Sequence, residues 1–311
     1  MIVSKTVSDC RARRAGLGRL ALVPTMGALH SGHMRLIEIA HEHAPHVAVS
    51  IFVNPTQFGP REDFSKYPRP IEHDLALCEK AGVDLIFNPD VKAMYPDYAP
   101  GGAGITFRAE DKAGAVAPES PPAEVAVDLP QLSSVLEGRF RPTHFRGVCQ
   151  VVAKLFNIIG PQVACFGEKD YQQLRILTSM TEELNFPIEI VACPTVREPD
   201  GLAISSRNRY LSPPERQRAL AISRGLATAN ADFKAGARQA NRLVTTVRNI
   251  LLDPTPASAG DAASRVAMLI DYVAAVDALT LRTIETIEAP AVIAVAARVG
   301  NTRLIDNVIL K

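Results

Sequence analysis

Two histidines stand three residues apart in PTMGALHSGH, Pro24 to His33, with Gly27 ahead of them and Gly32 between them. The block sits where a short apolar run, Leu20 to Pro24, gives way to a helical pattern that starts at His33. Backbone N–H groups at a helix start lack intrahelical partners and can receive phosphate oxygens, and glycines let a ligand approach the backbone closely. His30 and His33 would add side-chain donors to the same anion. On the motif alone, a nucleotide site and a plain structural turn weigh equally. Zinc is the weaker reading, because no third ligand follows at suitable spacing. His41, His43 and His46 read as a solvated helix end.

A second block, FGEKDYQQL from Phe166 to Leu174, repeats the geometry: an apolar run ends, Gly167 turns, and a helix begins. Lys169 near a helix N-terminus is disfavoured by the helix dipole, a mismatch that a bound triphosphate would remove. A third, ISSRNRYL from Ile204 to Leu211, sets Ser205, Ser206 and Arg207 in a row within a loop. Two hydroxyls and a guanidinium fork can wrap a phosphate, although ordinary surface loops share this composition. Together the three blocks could deliver donors to one cleft.

The elements that must position them alternate. After the first helix, His46 to Val53 reads as a strand; a short helix around Leu75 precedes a strand at Val83 to Phe87. Val148, Val151, Val152, Leu155, Phe156 and Ile159 follow helical spacing up to Gly160-Pro161. Val163 to Phe166 is the next strand, Asp170 to Leu184 the next helix, and Ile188 to Cys193 a further strand. This pattern predicts an α/β fold, a doubly wound, Rossmann-like parallel sheet over residues 1–193, whose ligands sit at the carboxyl ends of the strands. A smaller α+β domain over 194–311 would cover the site, with a helix starting at Ser212, Pro213 and Glu215. Gly- and Pro-rich sequence from Ala99 to Glu124 reads as a surface excursion.

The chain's 311 residues carry 34 Lys and Arg against 33 Asp and Glu, a net charge of +1, so nothing favours nucleic acid or an anionic membrane as partner. No signal-peptide core or bilayer-length apolar run occurs, and the expectation is a cytoplasmic protein. Five scattered cysteines without a close pair fit reduced, structural thiols.

With these blocks the chain resembles the pantothenate synthetase family, within the nucleotidyltransferase superfamily marked by a HIGH-like motif. The resemblance also covers SIFVNPTQF (Ser50 to Phe58), EDFSKYPR (Glu62 to Arg69), RPTHFRGV (Arg141 to Val148), PTVREPDGLAISSRNRYL (Pro194 to Leu211) and TRLIDN (Thr302 to Asn307). It implies ATP-dependent ligation of pantoate to β-alanine through a pantoyl-adenylate, with Mg²⁺ on the triphosphate and a homodimeric assembly. Met26, Gly27, Ala28, Leu29, His30, Ser31, Gly32 and His33 would hold ATP, His33 as proton donor and His30 as phosphate contact. Gly167, Glu168, Lys169 and Asp170, then Val196 and Ile204 to Arg207 (Ile204, Ser205, Ser206, Arg207), would complete the nucleotide site. The catalytic groups would be His33, His30, Lys169 and Arg207. Gln57 and Gln173 would bind pantoate, with Gln57 also near β-alanine.

Ser31 stands where the family more often has an acidic residue, and Ile204 where Met is usual; neither touches the charge chemistry. The stretch from Ala99 to Glu124 is longer than the family leads one to expect. Two other readings stay open: a nucleotidylyltransferase that stops at a nucleotidyl product, and a non-catalytic nucleotide-binding module. An aminoacyl-tRNA synthetase is disfavoured by the lack of a basic extension.

Overall fold

Short apolar runs without polar alternation need cover on both faces, and parallel sheets between helices provide it. The structure, a computed structural model, describes residues 1–59, 62, 64–96, 125–253, 266–288 and 290–311. The expected excursion from Ala99 to Glu124 lies outside the described residues.

The elements run β1 (Ile2–Ser4), α1 (Val7–Arg14), β2 (Leu20–Thr25), α2 (Ser31–His43), β3 (His46–Ile51), α3 (Ile71–Lys80), β4 (Leu85–Phe87) and the single turn α4 (Val91–Met94). Two more single turns follow, α5 (Pro130–Ser133) and α6 (Glu137–Phe140), then α7 (His144–Ile159), β5 (Val163–Gly167), α8 (Tyr171–Glu183) and β6 (Glu189–Cys193). All six strands are parallel, in the order β1-β4-β3-β2-β5-β6. The doubly wound expectation holds. Sequence periodicity missed β1 and α1, because three residues at an edge carry no period to read.

Beyond β6 come α9 (Pro213–Lys234), α10 (Ala240–Leu252) and an antiparallel sheet β7-β8-β9 (Met268–Asp277, Ala291–Val299, Thr302–Leu310). The start of α9 is the expected capping box: the Glu215 carboxylate accepts from the Ser212 N–H at 2.8 Å.

The chain divides into two compact units. One holds Met1–Ser134, Gly138–Gly167 and Gln173–Cys193; the other holds Pro194–Lys311 with Val135–Glu137 and Glu168–Gln172. Side chains explain why those two short pieces join the second unit. Arg303 makes a two-pronged ion pair with Glu137 at 2.6 and 2.8 Å, and the Gln172 amide accepts from the Glu137 N–H and donates to the Val135 carbonyl. Each unit has its own core: Leu22, Phe87, Phe156 and Ile176 are fully or nearly fully buried in the first, as are Ile222, Leu243 and Val295 in the second. Among the described residues no helix is long and apolar enough to cross a membrane. All five cysteines are buried, and none of them is in a disulfide.

Candidate active site

The sheet order reverses between β2 and β5, which are neighbours through Ala21↔Val163 and Leu22↔Ala164. Such a switch point leaves a crevice at the carboxyl ends of the two strands. Those ends are Thr25 and Gly167.

From Thr25 the chain turns through Met26, Gly27 at φ +83° and Ala28 at φ +52° before α2 begins. Two successive left-handed residues, one of them not glycine, need something to hold them. That something is Asp74, on α3. Its Oδ2 accepts from Ala28 N–H and its Oδ1 from Leu29 N–H, both at 2.8 Å. The carboxylate is 1% exposed, and a Cβ on Gly27 would lie 2.9 Å from its Oδ2. Thus Ala28 and Leu29 are fixed by protein, and the N–H groups left for an anion belong to the first turn of α2, at Ser31 and Gly32.

His30 is the N-cap of α2, and His33 lies one turn in. Their ring centroids lie 4.0 Å apart with the planes tilted by 34°. His33 Nδ1 accepts from the His30 N–H at 3.3 Å, so a neutral ring carries its proton on Nε2. His33 is therefore built as an Nε2–H donor. His41, His43 and His46 have separate duties at the surface, facing the Ala81 carbonyl, Glu189 and Asp84.

Gln57 lies in a 3₁₀ turn, Pro55–Gln57, after β3. Its Oε1 accepts from Asn54 Nδ2 at 3.1 Å, and its Nε2 faces the Met26 sulfur at 3.0 Å. A thioether is a weak acceptor, so the amide N–H groups remain competent to bind something better. Asn54 is held in turn by Thr56, the Gly147 carbonyl and Tyr95, whose hydroxyl donates to Asn54 Oδ1 at 2.9 Å. Burial pushes the Tyr95 phenol up to about 12, keeping it a donor at neutral pH.

The backbone of Gln57 is clamped too. His144 Nδ1 donates to its carbonyl at 2.9 Å while His144 Nε2 accepts from Arg141, and Arg141 is paired two-pronged with Glu62 at 2.8 and 2.6 Å. Gly147 lets α7 approach this turn, since a Cβ there would fall 2.3 Å from the Thr56 carbonyl oxygen. These contacts tie Asn54, Thr56 and Gln57 to Glu62, Arg141, His144 and Gly147, residues from three of the blocks that carry the resemblance.

In the second unit, Glu168–Asp170 form a 3₁₀ turn ahead of α8. Ser206–Tyr210 form another, with Ser205 as N-cap accepting from the Arg207 N–H at 3.2 Å. Val196 and Ile204 face each other across the hairpin leading there, the Ile204 N–H donating to the Val196 carbonyl at 3.0 Å. Gln173 is half-buried, whereas its neighbour Gln172 is buried with its amide already used. Among the described residues no group of three or more His, Cys, Asp or Glu is placed to hold a metal ion.

Sequence reading missed Asp74, Asn54, Tyr95, Arg141 and His144 as individual contributors. A signal for Asp74 was available: Ile71, Asp74 and Cys78 share one helical stripe, and a carboxylate on a buried stripe needs donors.

Parallel topology and this strand-end loop define a doubly wound α/β protein with a glycine-bearing loop and a helix start at its switch point. The family model described as pantoate-beta-alanine ligase matches residues 2–309. A pantothenate synthetase from Thermobifida fusca is 49% identical over 99% of this chain and 95% of its own. The crystal structure of pantothenate synthetase from Thermus thermophilus superposes with TM-score 0.82, 39% identity and 99% coverage of both chains. That of pantoate-beta-alanine ligase from Francisella tularensis, complexed with Beta-gamma ATP and Beta-alanine, gives TM-score 0.70 at 29% identity, covering 99% of this chain and 97% of that one. The chain belongs to the pantoate–β-alanine ligase family, and it is an enzyme, a ligase.

Proposed function

We propose that this ligase joins (R)-pantoate to β-alanine through a pantoyl-adenylate, releasing pantothenate, AMP and pyrophosphate. The observation that carries the reading is the rigid Met26–His33 loop, with His33 set as an Nε2–H donor at the sheet's switch point. A carboxylate is a poor acyl donor because its leaving group would be oxide. Attack of a pantoate carboxylate oxygen on the α-phosphorus breaks the bond to pyrophosphate and turns that oxygen into part of AMP. The neutral amine of β-alanine then attacks the acyl carbon, AMP departs, and the amine loses a proton.

Charge develops on phosphoryl oxygens, so preorganised donors should supply most of the acceleration. His33 and His30 would meet the triphosphate from the start of α2, with Met26 to Gly32 shaping its bed. Lys169, within Gly167 to Asp170, and Arg207, with Val196 and Ile204 to Ser206, would complete the nucleotide site. Gln57 and Gln173 would hold pantoate, each amide offering donors and an acceptor to a hydroxy acid. Mg²⁺ would travel on the triphosphate, since phosphate oxygens and water meet its octahedral demand without a protein cage. It would neutralise phosphate charge. Assembly as a homodimer in the cytoplasm goes with this reading.

The test is trapping of the intermediate. Enzyme mixed with ATP and pantoate, without β-alanine, should release pyrophosphate in a burst equal to the enzyme and hold pantoyl-adenylate. A burst independent of pantoate, or a stable nucleotidyl product, would favour a nucleotidylyltransferase instead.

A further inference from the structure

The TRLIDN block lies on β9, and the chemistry above uses none of it. Yet Asp306 and Asn307 are 5% and 6% exposed. Buried polar side chains require partners, and theirs are specific. Asn307 Nδ2 donates to the Glu168 carbonyl at 2.9 Å and to the Lys169 carbonyl at 2.8 Å. One amide nitrogen thus uses both its hydrogens on successive carbonyls of the turn that carries Lys169.

Asp306 looks the other way, as the alternation of a strand requires. Its carboxylate takes both Arg197 nitrogens, at 2.7 and 3.0 Å, and is itself oriented by the Asn307 N–H at 2.8 Å. Arg197 begins a tight hairpin: it bridges Ala203, donates to the Gly201 carbonyl, and is followed by the Glu198 N–H bonded to the Leu202 carbonyl. That hairpin feeds directly into Ser205, Ser206 and Arg207. Two consecutive residues of one strand therefore fix both phosphate-directed segments of this unit.

We infer that Asp306 and Asn307 are positioning residues, Asn307 setting the Lys169 turn and Asp306, through Arg197, setting the Ser205–Arg207 loop. The inference rests on the roles proposed above for Lys169 and Arg207. Neither Asp306 nor Asn307 needs to touch substrate. Displacing a catalytic group by about 1 Å can lower a rate ~100-fold, so a splint of this kind has kinetic weight.

A double-mutant cycle on the full-length enzyme tests it, read on ATP Kd by calorimetry and on kcat/KM for ATP. Asn307→Ala should weaken both by roughly 10- to 100-fold while leaving KM for β-alanine in place. In a Lys169→Ala background the same change should have less than about a threefold further effect, because its target is gone. Asp306→Asn, combined with Arg207→Ala, should behave alike. Fully additive effects would overturn the inference, since they mark a general packing role. Asn307→Asp keeps the volume but turns carboxylate oxygens toward two carbonyls, and serves if the Ala variant fails to fold; wild-type ATP affinity in a folded Asn307→Asp would equally overturn it. Absence of pantoate-dependent AMP formation in the wild type would instead reject the proposed reaction, while the calorimetric cycle still decides the positioning.

Discussion

The carboxylate of Asp74 accepts the backbone N–H of Ala28 at 2.8 Å while Ala28 sits in the left-handed region at φ +52°. A helix residue forty-six positions downstream thus holds the conformation of the loop that joins β2 to α2. Removing the carboxylate strands two buried N–H groups, at about 1–3 kcal/mol each. Asp74→Ala should lower the melting temperature and reduce kcat/KM for ATP by about 100-fold. Asp74→Asn, which turns an N–H donor toward an N–H donor, should lose activity with a smaller loss of stability. Thermal melting beside steady-state kinetics checks both; an Asn variant with wild-type kinetics would show that the loop holds itself.

His33 and Lys169 are each expected to act on the first chemical step. Loss of one preorganised donor typically slows a reaction ~100–1,000-fold. His33→Ala and Lys169→Ala should therefore slow pantoyl-adenylate formation by that order in quenched-flow experiments. A burst of normal rate and amplitude would take the residue out of the mechanism.

Adjacent glutamines should separate cleanly. Gln172 is committed to Val135 and Glu137, so Gln172→Ala should destabilise the fold with little change in substrate KM. Gln173→Ala should raise KM for pantoate and leave that for ATP nearly unchanged. Identical pantoate KM in Gln173→Ala and wild type would discard that assignment.

The thiols report on packing. Burial pushes Cys10 up to about 11 and Cys78 and Cys149 up to about 12 from an ordinary 9.0, and a hydrogen bond with Cys193, then burial, raises Cys165. The native state favours neutral thiols, so their contribution to stability is complete below about pH 9 and is lost as pH rises from there toward about 12. Alkylation at pH 8 should leave all five unmodified in the native protein and reach all five after denaturation. Rapid native labelling of any of them would contradict the buried placement.

Much of this is legible in the sequence. Strand–helix alternation gave the parallel sheet because buried strands write continuous apolar runs, and Ser212-Pro213-Glu215 marked the start of α9 to the residue. Gly27 and Gly32 flagged the loop. What holds these segments was not legible: Asp74 at the Gly27 loop, Arg141 and His144 at the Gln57 turn, and Asn307 at the Lys169 turn act across long sequence separations, and pattern reading sees only neighbours. The same limit hid Glu168–Gln172 and Val135–Glu137, whose membership of the second unit is decided by Asn307, Gln172 and Arg303.

Adenylation followed by amide formation is tested most directly by AMP release from purified enzyme as substrates are withheld in turn. Sustained AMP formation should require ATP, pantoate and β-alanine together, with pantothenate produced in equal amount. Continuous AMP release without β-alanine, or none with all three present, would contradict the account.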